Sequence, residues 1–335
     1  MNKRVIALPM LSAAILLGCK SDAVGTSEAI HQQHLDAAKQ FSSSAIELNT
    51  AMAALCKTGG EGALESAQVA WMNTMQSWMS FQGREKGSED ALALSWQIQF
   101  WPDKKNTTGR KLSQLLKQDT AWTASDLASQ SVAVQGLGAA EWFLYEQPQA
   151  LKTEDGCQLA EAVTAHINLS GEALLSAWQT NPWQAMTPEL ALGEYLGALN
   201  NQLDYSIKKL QRPMGKPGHP KPYQAESWRS GTSMVNLKAS VAAMQQLYIA
   251  NGQGLDQLLR DKGYAETADR LKEQFASLLA SWPAEPSMTA MLQSREGYRQ
   301  LISIFNGLEY IKWTLQDEVA PELGIVVGFN ATDGD

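Results

Sequence analysis

Hydrophobic residues recur at intervals of three and four along most of the chain, which is the spacing of α-helices with one buried face. The apolar stripes are Leu64, Ala67, Trp71, Met75 and Trp78; Leu159, Val163, Ile167, Leu174 and Trp178; Leu192, Leu196, Leu199, Leu203, Ile207 and Leu210; Leu237, Val241, Met244 and Tyr248; and Leu301, Ile304, Leu308, Ile311 and Leu315. No stretch alternates apolar and polar residues at every second position, so no sheet is expected. The pattern predicts an all-α protein built from helical bundles.

Proline-rich breaks divide this helical pattern. One break lies at 181–183, another at 211–222, which holds four prolines and is not expected to be helical, and a third at 281–286. The chain is long for one hydrophobic core, so two domains are expected. We predict an N-terminal bundle over residues 28–183 and a C-terminal bundle over 184–335, each with about four long helices.

The N-terminus has the layout of a secretory signal peptide over residues 1–18: a short basic start, then an apolar run too short to span a bilayer. The run ends in a small residue followed by Cys19, which resembles the bacterial lipobox. That resemblance implies cleavage before Cys19 and lipidation of its sulfur, and Lys20 at the next position favours the outer membrane. The polar stretch 19–27 is interpreted as a tether. The alternative is an ordinary signal peptide with a chance cysteine.

The net charge of the chain limits the classes of macromolecule that it can bind. The sequence has 35 acidic and 27 basic residues, a net charge of −8, which argues against binding nucleic acid. We therefore expect the protein to associate with a membrane through its lipid and not to bind nucleic acid.

Cys56 and Cys157 are candidates for one disulfide, since paired thiols outside the cytoplasm tend to oxidise. Two free thiols are the alternative, and the absence of a CxxC spacing argues against redox catalysis.

Glu141 is the residue that carries the functional hypothesis. It falls on the apolar face of a helix that is predicted to run from Leu127 to Leu144. A buried carboxylate is costly unless it is paired, hydrogen-bonded, metal-bound or protonated. Gly136 and Gly138, just before it, weaken a helix and leave room for another backbone or a ligand. A structural glutamate that pairs with a core arginine or tyrosine is the alternative.

The segment 134–145 resembles the GxHxxE motif of the imelysin-like proteins, peptidase family M75, with Gly136 and Glu141 at the matching positions. Three further segments resemble parts of that family: Phe100–Asp103, Glu226–Ser230 and Gly328–Asp335. The resemblance implies two helical bundles of related topology with a site in the cleft between them. It also implies an envelope location and a link to iron acquisition or iron-regulated expression.

The chain departs from that motif where the family has its histidine, because Gly138 stands there. A His and a Glu three residues apart lie on one helix face and can hold a metal, whereas glycine supplies no ligand. A metal bound by Glu141, iron or another divalent ion, therefore needs donors from elsewhere. The candidates are Asp103, Glu226 and Glu309, with His166 and His219 as weaker ones. His31 and His34, near the tether, are expected to be solvated.

Arg229 and Ser230 admit two interpretations. They stand at a predicted helix start, where an anion or carboxylate is favourably bound. Arg229 is equally a candidate partner of Glu141, and the cleft is then a salt-bridged joint and not a ligand site.

Three functional hypotheses follow. The leading one is a non-catalytic binding protein of iron acquisition, anchored to the outer membrane and facing the periplasm or the cell surface. Its site is a cleft around Glu141 that includes Gly136, Gly138, Asp103, Glu226, Arg229 and Ser230. The alternatives are a metal-dependent peptidase, disfavoured by the missing histidine, and a structural or adaptor lipoprotein without a ligand. Iron-uptake components are candidate partners.

Overall fold

The computed structural model describes residues 19–325, and its helices form an almost continuous series. The α-helices are α1 (Cys19–Thr58), α2 (Glu61–Met79), α3 (Glu89–Ile98), α4 (Thr107–Leu115), α5 (Ala124–Ala128), α6 (Leu137–Glu141), α7 (Glu154–Ala177), α8 (Pro188–Met214), α9 (Ser233–Ile249), α10 (Leu255–Asp261), α11 (Ala265–Ala280), α12 (Met288–Met291), α13 (Arg295–Trp313) and α14 (Ala320–Leu323). Five short 3₁₀ segments and two π-helical turns, Trp142–Glu146 and Thr314–Val319, complete them. Within this range there is no strand, only an isolated bridge between Lys216 and His219. The all-α prediction is confirmed.

The long helices pack in two groups. In the first, α1 lies against α2 and α7; in the second, α8 packs against α9 and α13, with α11 beside α9 and α13. The groups also touch, since α1 contacts α8 and α2 contacts α9. The predicted apolar stripes face inward, and Trp71, Trp78 and Leu203 are fully buried. Residue 184 falls between α7 and α8, and the division into two domains there stays a prediction.

Local side-chain chemistry sets several helix starts. Thr153 accepts the Gly156 N–H at the start of α7, and Ser294 accepts the Gly297 N–H at the start of α13, at 2.9 Å. Such caps satisfy backbone donors that the first turn leaves free. The residue just before each of these two helices therefore helps to fix where the helix begins.

Two segments differ from the sequence prediction. The residues interpreted as a tether, 19–27, are part of α1. The proline-rich break begins later than expected, because α8 continues through Pro213 to Met214. A proline in the last turn forfeits a hydrogen bond without interrupting a following turn, and Gly215, with φ of 57°, then ends the helix.

Some predictions fall outside the described residues. These are the signal peptide, residues 1–18, the side chain of the lipidation candidate Cys19, and the C-terminal segment 328–335. Of the helices in residues 19–325, none combines the length and apolar character of a membrane span.

A disulfide joins Cys56, near the end of α1, to Cys157, in the first turn of α7. The two Cα atoms are 5.5 Å apart and 101 residues apart in sequence. Closing so long a loop restricts the unfolded chain and contributes about 4–5 kcal/mol in the chain-entropy description. The bond therefore clamps the ends of two helices that already pack together.

His31 and His34 are buried, so the expectation that they are solvated is wrong. The reason is that α1 starts before them and places both on its packed face. His34 lies between the rings of Phe81, Trp178 and Trp183, with centroids 4.6–6.0 Å away, and we call these three rings the aromatic box. Its Nδ1 donates to a backbone carbonyl one turn earlier, at 2.9 Å. Burial lowers the pKa of His34 to about 3, so it is neutral at pH 7.

Candidate functional site

The segment around Glu141 is a broken helix. Instead of one helix from Leu127 to Leu144, the chain forms α5, a 3₁₀ turn at Val132–Val134, α6 and the π turn Trp142–Glu146. The prediction of a continuous helix is therefore wrong, although positions 127, 137 and 144 are buried as expected. Glu141 is the last residue of α6, directly before the π turn.

Gly136 is required by close packing. A Cβ at this position would lie 2.2 Å from the carbonyl oxygen of Ile98 and 2.3 Å from that of Gln97. No side chain fits such a contact, so α6 can start here only with glycine. Gly136 thus brings the start of α6 against the end of α3, and it does not line the cavity described below.

Glu141 is buried, with 2 % of its surface exposed. Its Oε1 accepts two hydrogen bonds from Ser230, one from the backbone N–H and one from the hydroxyl, both at 2.9 Å. Its Oε2 lies 4.0 Å from Nη1 of Arg229. Burial raises the pKa of Glu141, while Arg229 and the Ser230 hydrogen bonds oppose that rise. The carboxylate therefore links α6 to the loop before α9.

Arg229 has closer partners than Glu141. Its Nε pairs with the carboxylate of Glu146, and its Nη2 donates to Oδ1 of Asn106 at 2.7 Å. The guanidinium also lies over the ring of Trp228, 4.6 Å from the centroid. Its side chain is only 4 % exposed. We call Glu141, Ser230, Arg229, Glu146 and Asn106 the Glu141 network.

The loop that carries Ser230 has an unusual backbone. Ser227 is buried and has φ of 55°, in the left-handed region that non-glycine residues rarely occupy. Its carbonyl accepts the Ser230 hydroxyl at 3.1 Å, and its own hydroxyl accepts from Nδ2 of Asn236 at 2.9 Å. The donors that were predicted to bind an anion at this helix start are thus directed at Glu141, a carboxylate of the protein itself.

A second buried ion pair adjoins the network. Nζ of Lys209 lies 2.7 Å from Oε2 of Glu226, and Nε2 of Gln99 donates to its Oε1 at 3.2 Å. Lys209 also bonds the side-chain oxygen of Gln82. Burial lowers the pKa of Lys209, and the charge of Glu226 opposes that shift. Glu226 therefore serves to compensate a buried lysine.

A small cavity lies between the two ion pairs, with a volume of about 20 Å³, which is the space of a single water molecule. It is lined by Gln99, Asp103, Thr108, Gly138, Glu141, Glu226 and Arg229, among others. The oxygen of Gln99 is buried there without a protein partner. Asp103 also lines it, but its two oxygens accept the N–H groups of Thr107 and Thr108, at 2.6 and 3.0 Å, at the start of α4.

The side chains that line this cavity do not form a site for a divalent metal ion. Within residues 19–325 no group of three or more His, Cys, Asp or Glu side chains has metal-binding geometry. Glu141 and Glu226 each face a cation, and Gly138 offers no ligand. The other sequence candidates, Glu309, His166 and His219, do not line this cavity. The geometry is that of a charge-compensated joint.

Sequence reasoning missed four polar residues at this site: Glu146, Asn106, Gln99 and Lys209. Glu146 lies five residues after Glu141, on another face of an ordinary α-helix. The π turn closes hydrogen bonds between residues five apart, so the two carboxylates come to the same side. Lys209 had a signal, because Gln202, Ser206 and Lys209 form a polar stripe at helical spacing on α8, and all are buried.

Comparisons with known proteins agree with this architecture. The family model described as Peptidase_M75, Imelysin, matches residues 34–312. A crystal structure of an imelysin-like protein from Psychrobacter arcticum 273-4 superposes with a TM-score of 0.70 at 18 % identity, covering 92 % of this chain and 98 % of that one. A putative iron-regulated protein A precursor from Parabacteroides distasonis ATCC 8503 gives 0.69 at 14 % identity, covering 88 % and 96 %. No curated protein matches significantly. At these identities the two structures show a common fold.

Proposed function

The chain belongs to the imelysin family, and from this premise we propose that it is a lipid-anchored envelope protein that binds a ligand in iron acquisition without catalysing a reaction. The observation that carries the proposal is the buried carboxylate of Glu141, which accepts two hydrogen bonds from Ser230, 89 residues away. Such a carboxylate joins distant segments with a defined geometry. Its role here is to hold a binding surface in place.

The network connects two surface loops. Arg229 donates to Asn106 at 2.7 Å, and Trp101 Nε1 donates to the carbonyl of Gln224 at 3.1 Å, so residues 101–106 are tied to residues 224–230. A cavity of about 20 Å³ is too small for an organic ligand. The ligand therefore binds outside the network, on the surface that the two loops form.

The missing histidine supports a binding role over peptidase chemistry. A catalytic zinc site keeps three protein ligands and one open position, and in this chain the nearby carboxylates are held by Arg229, Lys209 and backbone N–H groups. We expect the mature protein to cleave no unfolded substrate with zinc or iron added. Chelator-sensitive cleavage that Glu141→Gln abolishes would instead favour the peptidase alternative.

The link to iron is supported by the iron-regulated protein of Parabacteroides distasonis, which shares the fold. It is tested by measuring uptake of radioactive iron in a strain that lacks the protein. Uptake under iron limitation should fall and should be restored by the wild-type chain. Equal uptake in both strains at every iron concentration would contradict the link.

The envelope anchor is tested separately. Radioactive palmitate should label the wild-type chain, and Cys19→Ser should abolish labelling and release the protein from membrane fractions. Labelling that persists in Cys19→Ser would contradict the proposed lipid attachment.

The alternative is a structural or adaptor protein without a ligand. It is also favoured by the ion pairs, because each buried carboxylate already has a partner within the protein. This alternative predicts normal anchoring and no bound small molecule.

A further inference from the structure

An open cleft lies beside the Glu141 network, between the loop at 103–106 and the loop at 221–228. Its volume is about 450 Å³, within the range of pockets that take small organic ligands. The side chains that define it are Lys104, Lys105, Lys221, Tyr223 and Trp228. We call it the basic cleft.

The charged side chains that line this cleft are mainly basic. Its three lysines are exposed, although the whole chain has a net charge of −8. The acidic residue that lines it is Asp103, and both of its oxygens accept backbone N–H groups of α4. A concave surface on which one sign of charge predominates concentrates ligands of the opposite sign. The cleft therefore favours an anion.

The aromatic side chains add a second requirement. Tyr223 is 66 % exposed, and its ring meets that of Trp228 edge to face, with centroids 5.0 Å apart and planes at 83°. Trp228 is supported in turn by the guanidinium of Arg229. A large ring that is mostly exposed leaves its face open for stacking. The ligand that fits such a surface has a planar ring.

We propose that the basic cleft binds a small organic anion that carries an aromatic ring, with the lysines pairing its charge and Tyr223 stacking on its ring. This inference rests on the proposed binding function and names its ligand class. Ferric complexes of aromatic hydroxy acids belong to that class, since they combine negative charge with planar rings. The Glu141 network positions the walls of the cleft through Arg229, which contacts Trp228 on one side and Asn106 on the other.

The test is calorimetric titration of the mature full-length protein with 2,3-dihydroxybenzoate, free and as its ferric complex, and with ferric citrate as an aliphatic anion. The aromatic probes should bind, and tryptophan fluorescence should change because Trp228 lines the cleft. The triple variant K104E/K105E/K221E should weaken binding at least about tenfold, since each exposed ion pair contributes roughly two- to fivefold. Tyr223→Leu should also weaken the aromatic probes, with little effect on ferric citrate.

The triple variant K117E/K238E/K272E, at three exposed lysines outside the cleft, is the matched control, because it changes the net charge equally, and it should leave affinity unchanged. Unchanged helical content and melting temperature will show that the cleft variants fold, as expected for exposed positions.

If ferric citrate binds as tightly as the aromatic probes and Tyr223→Leu keeps full affinity, the aromatic ligand class is overturned, while the proposed iron link is unaffected. Binding of the free acid but not of its ferric complex would support the aromatic-anion class and exclude ferric complexes as ligands of this cleft. Absence of binding by every probe at millimolar concentration would overturn the inference, while the uptake experiment decides the proposed function independently.

Discussion

Two of the buried ionisable side chains, His34 and Glu141, are accommodated in opposite ways. His34 in the aromatic box is kept neutral: its Nδ1–H bonds a carbonyl of its own helix, and its Nε2 has no partner. Glu141 is surrounded by donors and by Arg229, which stabilise its charged form. Burial by itself therefore does not indicate function.

The two regions also differ in what they connect. The aromatic box lies within the N-terminal group of helices, where α1 meets the residues that follow α7. The Glu141 network spans both groups and leads through Arg229 to Trp228 and Tyr223 at the surface. The difference teaches that a buried polar group suggests a site when its partners lead to an exposed surface.

The largest expected effect is on the network. Arg229→Met leaves Glu141 and Glu146 without a cation and should lower the free energy of unfolding by about 3–5 kcal/mol, as for other broken buried pairs. Denaturant titration measures this, with the exposed Arg295→Met as control, expected within about 0.5 kcal/mol of wild type. The deficit should shrink in acid, because protonation removes the unpaired charges. A loss no larger than that of the control would show that Arg229 is dispensable for these carboxylates.

The aromatic box should give a smaller, pH-dependent effect. The folded-state pKa of His34 is about 3, below the unfolded value of 6.5, so unfolding takes up a proton between those values. Stability from this group is present above pH 6.5 and is lost as the pH falls, by about 3 kcal/mol at pH 4. His34→Phe should remove this slope in a pH series of denaturant titrations. Comparing it with wild type cancels the opposite contribution of Glu141, whose raised pKa loses stability as pH rises. Parallel curves would refute a neutral His34.

A milder change to the network sharpens the comparison. In Glu141→Gln the amide oxygen still accepts from Ser230, but the attraction to Arg229 is lost, so we expect a loss of about 1–2 kcal/mol. Arg229 keeps Glu146 as its closer partner, which limits the effect. Glu141→Ala, which also leaves the Ser230 donors unpaired, is the comparison variant and should lose more. Equal losses in the two variants would mean that the hydrogen bonds contribute nothing measurable.

The smallest effect concerns Gly138, which lines the small cavity beside Glu141. The nearest neighbour of a Cβ at Gly138 would be Oε1 of Gln99, at 3.7 Å. Gly138→Ala should therefore stabilise the protein by about 0.5–1 kcal/mol through helix propensity. Gly197→Ala on α8, where a Cβ meets nothing within 4 Å, measures the same gain away from the site. Destabilisation at Gly138 alone would show that the cavity needs the space that the glycine leaves.

The sequence by itself determined the helical class, the inward-facing stripes and the burial of Glu141. These follow from local periodicity, because a side chain three or four residues away lies on the same helix face. The same reasoning failed where the helix was not regular. It did not identify Glu146 as a neighbour of Glu141, because periodicity does not foresee a π turn, and it ended α8 before Pro213.

Only the tertiary structure decided what Glu141 contacts. Ser230 lies 89 residues away and Asn106 lies 123 residues from Arg229, so no local pattern relates them. The basic cleft is likewise assembled from two loops that are distant in sequence, and its lysines look like ordinary surface charges until the fold places them together. Periodicity reports which face of a helix is buried, whereas the partners of a buried charge depend on how separate helices and loops are brought together.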